Sequence, residues 1–348
     1  MADKIRFGMV GAGAISNAHL GALAIRDDVE IVCIADPDLE RAKAQAEKYK
    51  AERCVASYDE LAKMDDVQAV AVGIPTQFHA DACVKMMQRG KHVLCEKPMA
   101  RTLKECDEMA DAARANRVVL QIGFVRRFDP DWGKIRELVQ ANKVGRPCMW
   151  RRIIVGAAPG PPNYGTWYSD SRFSDGPHNE SGSHDFDFVR YVFGDVKAVT
   201  ASAWHMSRTG DVRDTTTTIV DFKSGDQMVC MWCWCLPPKC SGAFGGLDVV
   251  GPDGVIKGPE KGEGDEYRYV VVGAGGVETK YPFQLIRTGK FWSQGQMDNF
   301  IETIRGRQAP RATAEDGRKA QEITLAAFES SKTGRRIEID EFARRANS

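Results

Sequence analysis

The segment from Ile5 to Asp36, IRFGMVGAGAISNAHLGALAIRDDVEIVCIAD, constrains this chain more than any other, because it holds a strand, a glycine turn, a helix, a second strand and a terminal acid in sequence. Ile5 to Val10 is a short apolar run of the kind a buried parallel strand needs, and Gly11, Ala12, Gly13, Ala14, Ile15 and Ser16 carry it into a helical stretch. Gly11 permits a tight turn, and Gly13 lets a pyrophosphate approach the first helical N–H groups, where the helix dipole favours an anion. Val29 to Ala35 reads as the second strand, and Asp36 follows at about the 20-residue spacing that brings a carboxylate to ribose hydroxyls. A lone glycine pattern marks an ordinary turn; with both strands and the acid in register it reads as a dinucleotide site. Ser16 stands where a third glycine is usual and is small enough for close packing of helix on strand. Asp38 adds a second negative charge where a 2′-phosphate would lie, so NAD is expected in preference to NADP, with Arg41 as the nearby opposing group.

At 348 residues the chain exceeds one comfortable domain, and a prior of about 150 residues per domain suggests two. Lys plus Arg and Asp plus Glu balance at 48 each, which leaves no net field to recruit nucleic acid or an anionic membrane and favours a small neutral partner. The opening MADKIRFG runs into the first strand without the pattern of a signal peptide, and no apolar stretch approaches the ~18 residues of a membrane span, so a cytoplasmic protein is expected. Ten cysteines without the dense spacing of a small secreted scaffold are read as reduced thiols.

After Asp36 strands and helices keep alternating. Val67 to Val72 is a buried strand that ends in the loop Gly73 to His79, at the carboxyl edge where open α/β sheets bind ligands, so Pro75, Thr76 and His79 are expected to touch the cofactor. His92 to Cys95 is the next strand, ending in Glu96-Lys97-Pro98. Most lysines are solvated surface charges, but one set between a strand end and a proline at this edge is a candidate for function. Thr102 to Asn116 is a helix opened by a Thr102/Glu105 capping box, and Val118 to Ile122 closes the parallel sheet. Residues 1–123 are therefore expected to form a Rossmann domain with a doubly wound parallel sheet.

From Lys143 the runs Cys148 to Val155, Ala198 to Trp204, Thr215 to Phe222, Gln227 to Cys235 and Leu247 to Val250 alternate with a period of two. Residues 124–348 are expected to form an α/β domain with an open, mostly antiparallel sheet, serving substrate binding and oligomerisation; the last helix is a candidate to pack back on the first domain. The Pro/Gly-rich stretch Pro159 to Tyr168 is commonly just a connection, but Asn163, Tyr164 and Trp167 suit a loop closing over a polyhydroxylated ligand. Cys230, Cys233, Cys235 and Cys240 invite a zinc reading; alternation along a strand keeps four thiolates from converging, and no metal is expected. Both faces of that strand are apolar, and the face carrying Cys230, Trp232 and Trp234 is assigned to a subunit contact in a dimer or tetramer. Finally, Glu180 and His184 are four apart, the spacing of one helix face, with Asp187 three further on. A histidine in such an apolar helix is more often a satisfied core residue than a catalyst.

Gly11-Ala12-Gly13 with His19, Asp36-Pro37, Pro75-Thr76 with His79, Glu96-Lys97-Pro98, and Gly123-Phe124 followed by Arg126-Arg127-Phe128-Asp129 resemble, in order and spacing, the glucose-fructose oxidoreductase and inositol dehydrogenase family. The resemblance covers nearly the whole chain, and Gly123 to Pro130 is most similar to the inositol 2-dehydrogenase branch, in a segment shared with other sugar dehydrogenases. It implies an NAD-dependent dehydrogenase of a cyclic polyol or sugar. On that resemblance Lys97 acts beside the substrate hydroxyl, His184 is the general base of an Asp-x-x-x-His element, and Arg127 lies near cofactor and substrate. Glu96 and Lys97 join the cofactor contacts; Asn163, Tyr164, Trp167, Glu180 and His184 join Arg127 at the substrate. Glu180 replaces the family's aspartate, keeping the charge with one more methylene, and so leaves substrate identity open. Two rivals are a keto-sugar reductase working in reverse and a non-catalytic NAD(H)-sensing regulator; a sensor has no need of both Lys97 and His184.

Overall fold

The apolar runs of the N-terminal half are buried on both faces, which is why they read as unbroken rather than alternating. In the computed structural model, which describes residues 4–158, 166–237, 240, 245–264, 266–284 and 291–346, they form β1 (Ile5–Val10), β2 (Val29–Ala35), β3 (Arg53–Val55), β4 (Ala69–Val72), β5 (His92–Cys95) and β6 (Leu120–Ile122). All pairs are parallel, in the order β3-β2-β1-β4-β5-β6. The intervening helices are α1 (Ser16–Leu23), α2 (Leu39–Tyr49), α3 (Tyr58–Ala62), α4 (His79–Gln88) and α5 (Leu103–Asn116). The expected capping box opens α5, with the Thr102 hydroxyl accepting from the Glu105 N–H and the Glu105 carboxylate from the Thr102 N–H. The three-residue β3 is too short to leave a periodic signal. Strand order reverses between β1 and β4, which is where such sheets open a ligand crevice at their carboxyl ends.

Met1–Val125 and Thr288–Arg318 make one compact unit, and Arg126–Arg287 with Lys319–Ser348 the other. In the first, Phe7, Met9, Leu20 and Ile34 share a core with Met297, Phe300 and Ile301 of the helix Phe291–Ile304, and Phe7 meets Phe300 edge-on at 6.2 Å. That helix, rather than the last one, is the C-terminal segment that joins the first unit.

The second unit comprises α6 (Pro130–Gln140), β7 (Met149–Val155), α7 (Pro177–Glu180), α8 (Gly182–Phe193), β8 (Val196–Trp204), β9 (Thr215–Phe222), β10 (Gln227–Cys233), β11 (Gly246–Gly251), β12 (Gly254–Lys261), β13 (Glu266–Gly273) and β14 (Glu278–Gln284). After α9 (Phe291–Ile304), which belongs to the first unit, α10 (Ala314–Thr333), β15 (Ile337–Glu338) and α11 (Ile339–Ala346) end the chain. The last helix, α11, lies with this unit, burying Ile339 and Phe342 and pairing Asp340 with Lys223 at 2.9 Å. The sheet runs β14-β13-β12-β11-β7-β10-β9-β8-β15, antiparallel except for the β7–β10 pair. One face packs on α6 and α8 through Trp132, Trp150, Phe188, Phe193 and Phe222, with ring centroids 4.9 to 6.4 Å apart.

The assignment of the Cys230, Trp232 and Trp234 face to a subunit contact is corrected. All three side chains are buried within the single chain, and the Trp232 indole N–H donates to Asp185 of α8 at 3.0 Å. With both faces apolar, alternation alone does not say which one the helices cover. The outward residues are Val229 and Met231, paired with Arg151 and Ile153, and Ile219, paired with Val229; Ile153 remains 44% exposed. The strand expected through Cys235 stops at Cys233, and Cys235 keeps only an isolated bridge to Ala157.

Candidate active site

The glycine turn is fixed by backbone geometry. Gly11 has φ +96°, and a Cβ there would lie 2.4 Å from the Gly73 carbonyl oxygen, so no other residue fits. The Gly11 N–H donates to Ala35 O at 2.8 Å and the Gly73 N–H to Val10 O at 2.9 Å, tying the turn to the reversal between β1 and β4. A Cβ at Gly13 would meet no protein atom within 4 Å, which leaves the backbone of Gly13, Ala14 and Ile15 open to a phosphate's approach. Ser16 is buried, and its hydroxyl donates back to Gly13 O at 2.6 Å, which accounts for serine at the third glycine position. Asp36 is buried at the end of β2 and accepts from the N–H groups of Ala12 at 2.8 Å and Asp38 at 2.9 Å. Arg41 also reaches it, at 2.8 Å. An open turn at a helix N-terminus beside a fixed carboxylate fits the pyrophosphate and adenosine ribose of NAD. Pro75 and Thr76 begin the turn after β4, at the same carboxyl edge.

Lys97 lies two residues past the end of β5 and is half-buried. Beside it, buried Glu96 faces His19 of α1 with 2.9 Å between Oε1 and Nε2, and its Oε2 accepts the Lys97 N–H at 3.2 Å. Burial opposes the charge of Glu96, yet the His19 imidazole and the Lys97 ammonium hold its carboxyl below the usual range. Gly123 makes room for this arrangement, since a Cβ there would lie 2.8 Å from Glu96 Oε2. His79 is a residue of the loop after β4 expected against the cofactor. It is 1% exposed, with Nδ1 2.8 Å from Pro98 O and Nε2 2.8 Å from Ile74 O.

In the second unit the expectation that Glu180 and His184 share one helix is corrected. α7 ends at Glu180, Ser181 departs to φ −113°, and α8 starts at Gly182, a residue that propagates a helix poorly. Glu180 is buried and His184 half-buried in the first turn of α8. Asp185, next to His184, is fully buried; it accepts from Trp232, pairs with Arg126 and lies 3.6 Å from Arg152, while Trp132 stacks 4.0 Å from the Arg126 guanidinium. Sequence reasoning gave Asp185, Arg126 and Arg152 no role; a charged residue inside an apolar helix was the available signal. Arg127 is clamped by Asp187, Nε donating to Oδ2 at 2.9 Å and Nη2 to Oδ1 at 2.6 Å, over the Tyr191 ring at 4.6 Å. Trp167 stacks on Tyr168 at 3.8 Å, and Asn163 and Tyr164 lie outside the described residues.

Residues 5–124 match the oxidoreductase family's NAD-binding Rossmann fold, and residues 136–339 match its C-terminal α/β domain. Over 352 residues, 97% of this chain and 99% of the relative, the sequence is 28% identical to myo-inositol 2-dehydrogenase of Thermotoga maritima. An oxidoreductase from Agrobacterium radiobacter, solved with NAD+, L-tartaric acid and magnesium, has a similar fold with TM-score 0.82 at 18% identity, over 97% of this chain and 99% of that one. So does the WlbA dehydrogenase from Bordetella pertussis, solved with NADH and UDP-GlcNAcA, with TM-score 0.80 at 23% identity over 96% and 98%. With both halves matched in order, this chain belongs to the family of glucose-fructose oxidoreductase and inositol dehydrogenase and is an NAD-dependent dehydrogenase.

Proposed function

We propose that the protein oxidises a secondary hydroxyl of a cyclic polyol or sugar to a ketone, with His184 accepting the hydroxyl proton and Lys97 polarising the same oxygen as negative charge develops on it. NAD, when bound, supplies the hydride acceptor. The full-length likeness to myo-inositol 2-dehydrogenase carries this reading. Glu180 orients a neighbouring ring hydroxyl, its longer side chain shifting the ligand relative to an aspartate. Arg127 orients substrate with its guanidinium fixed by Asp187. NADH formation across inositols, aldoses, glycosides and tartrate tests the proposal; turnover of none of the cyclic compounds would overturn it.

NAD should be preferred over NADP, because the Asp36 carboxylate occupies the ribose position and holds Arg41 to itself. Asp36→Ala removes that carboxylate and releases Arg41 toward a 2′-phosphate. It should shift the ratio of kcat/KM values toward NADP by about ten- to a hundredfold, the worth of one charge-assisted hydrogen bond. An unchanged ratio, or a wild type that favours NADP, would show that Asp36 does not set the preference.

The outward sheet face, with Ile153, Ile219 and Val250 exposed, is proposed to meet a second copy of this chain. Light scattering should give a dimer or tetramer, and Ile153→Asp should dissociate it. A wild-type monomer at micromolar concentration contradicts this. Among the described residues no helix is long and apolar enough to cross a membrane.

A further inference from the structure

Two buried histidines flank Lys97, and the proposed reaction uses neither. His19, on α1, holds the Glu96 carboxylate on one side. His79, at the start of α4, faces the Pro98 carbonyl on the other, 2.8 Å from Nδ1, while its Nε2 faces the Ile74 carbonyl at 2.8 Å. A carbonyl oxygen only accepts, so each contact requires an N–H on the ring. A neutral imidazole has one such group. Its bare nitrogen would set a lone pair against a carbonyl lone pair in a site where water does not compensate, which is the costly case of an unmet buried polar group.

We infer that His79 is a buried imidazolium and that, with His19, it fixes the Glu96-Lys97-Pro98 segment from both sides, making it a positioning residue for Lys97. The positioning role rests on the reaction proposed above; the charge on His79 does not. The Ile74 bond extends the same tie to the loop after β4, so one cation joins the carboxyl edges of two neighbouring strands.

The titratable side chains around the ring are Cys95 of β5 and, hydrogen-bonded to it, Cys83 of α4; Glu96 and Lys97 follow Cys95 in the chain. Burial opposes the charge, while the Cys95 sulfur and the two carbonyls favour it, and the balance holds His79 above its ordinary value. Burial also pushes the Cys95 thiol well up, so it stays neutral and the carbonyls are what hold the proton. Since the folded value lies above the ordinary 6.5, this stabilisation is complete below that pH and is lost as pH rises through the folded value.

Neutron diffraction from wild-type crystals at about pH 8, where an ordinary histidine is neutral, reads the charge directly. Deuterons on both ring nitrogens of His79 are expected; one bare nitrogen overturns the inference. For positioning, His79→Gln should lower kcat about ten- to a hundredfold, the cost of a small misplacement, with KM for NAD within about twofold. In a Lys97→Ala background the same change should have almost no further effect. Equal losses in both backgrounds would show that His79 supports the fold and not Lys97. Should His79→Gln fail to fold, His19→Asn, which loosens Glu96 from α1, gives the same comparison. If Lys97→Ala matches wild type, the proposed reaction falls together with the positioning role, and the deuteron count still decides the charge.

Discussion

Lys97→Ala and His184→Ala should each lower turnover by about two to four orders of magnitude, the usual worth of a positioned acid–base group, with NAD affinity little changed. The two residues lie 87 positions apart in sequence and are contributed by different compact units. The proposal has both acting on one substrate oxygen, so their losses should not add, and the double variant should be scarcely slower than the poorer single one. Turnover should also fall on the acid side, where a protonated imidazole accepts no proton, and that limb should be missing from His184→Ala. Additive losses would show that the two groups act independently of one another and not as a pair on one oxygen. Near wild-type rates for both variants would move the chemistry elsewhere and favour a sensor that binds NAD without turning it over.

What the sequence revealed, and what it hid, follows from how far apart the interacting groups are. The first unit was legible because a buried parallel strand is an unbroken apolar run and because the turn after β1 tolerates only glycine at position 11. The place of Asp36 at the end of the second strand could be read from spacing alone. Its bond to the Ala12 N–H, which makes this carboxylate a brace for the turn, could not. In the second unit the alternation gave the strands but not the inward face, since Trp232 and Met231 are both apolar and only the position of Asp185 decides which turns in. The break at Ser181 left no signal either, because nothing between Glu180 and His184 forbids a continuous helix except a glycine's weak preference. His79 was correctly placed at the sheet's carboxyl edge, yet one carbonyl its ring faces lies 19 residues away and left no mark in the local sequence.

Breaking the Arg127–Asp187 pair should destabilise the second unit strongly. Both side chains are nearly inaccessible, at 4% and 1% exposure, and the pairing is a two-point fork that spans 60 residues of chain to join the start of this unit to α8. Asp187→Ala removes the carboxylate that holds both prongs of the guanidinium, a loss of up to about 3–5 kcal/mol. For a unit of this size that is a fall of order 10 °C in Tm. Replacing both partners, Arg127→Met with Asp187→Leu, removes the desolvation cost along with the attraction and should recover most of the loss. The double variant also separates two roles for Arg127. If the pair only braces α8 and thereby His184, kcat recovers with Tm. If Arg127 orients substrate, Tm recovers while KM for the best substrate stays raised, because no guanidinium is present to meet it. A full return of Tm, kcat and KM would reduce Arg127 to a structural cation and remove it from the proposed substrate contacts.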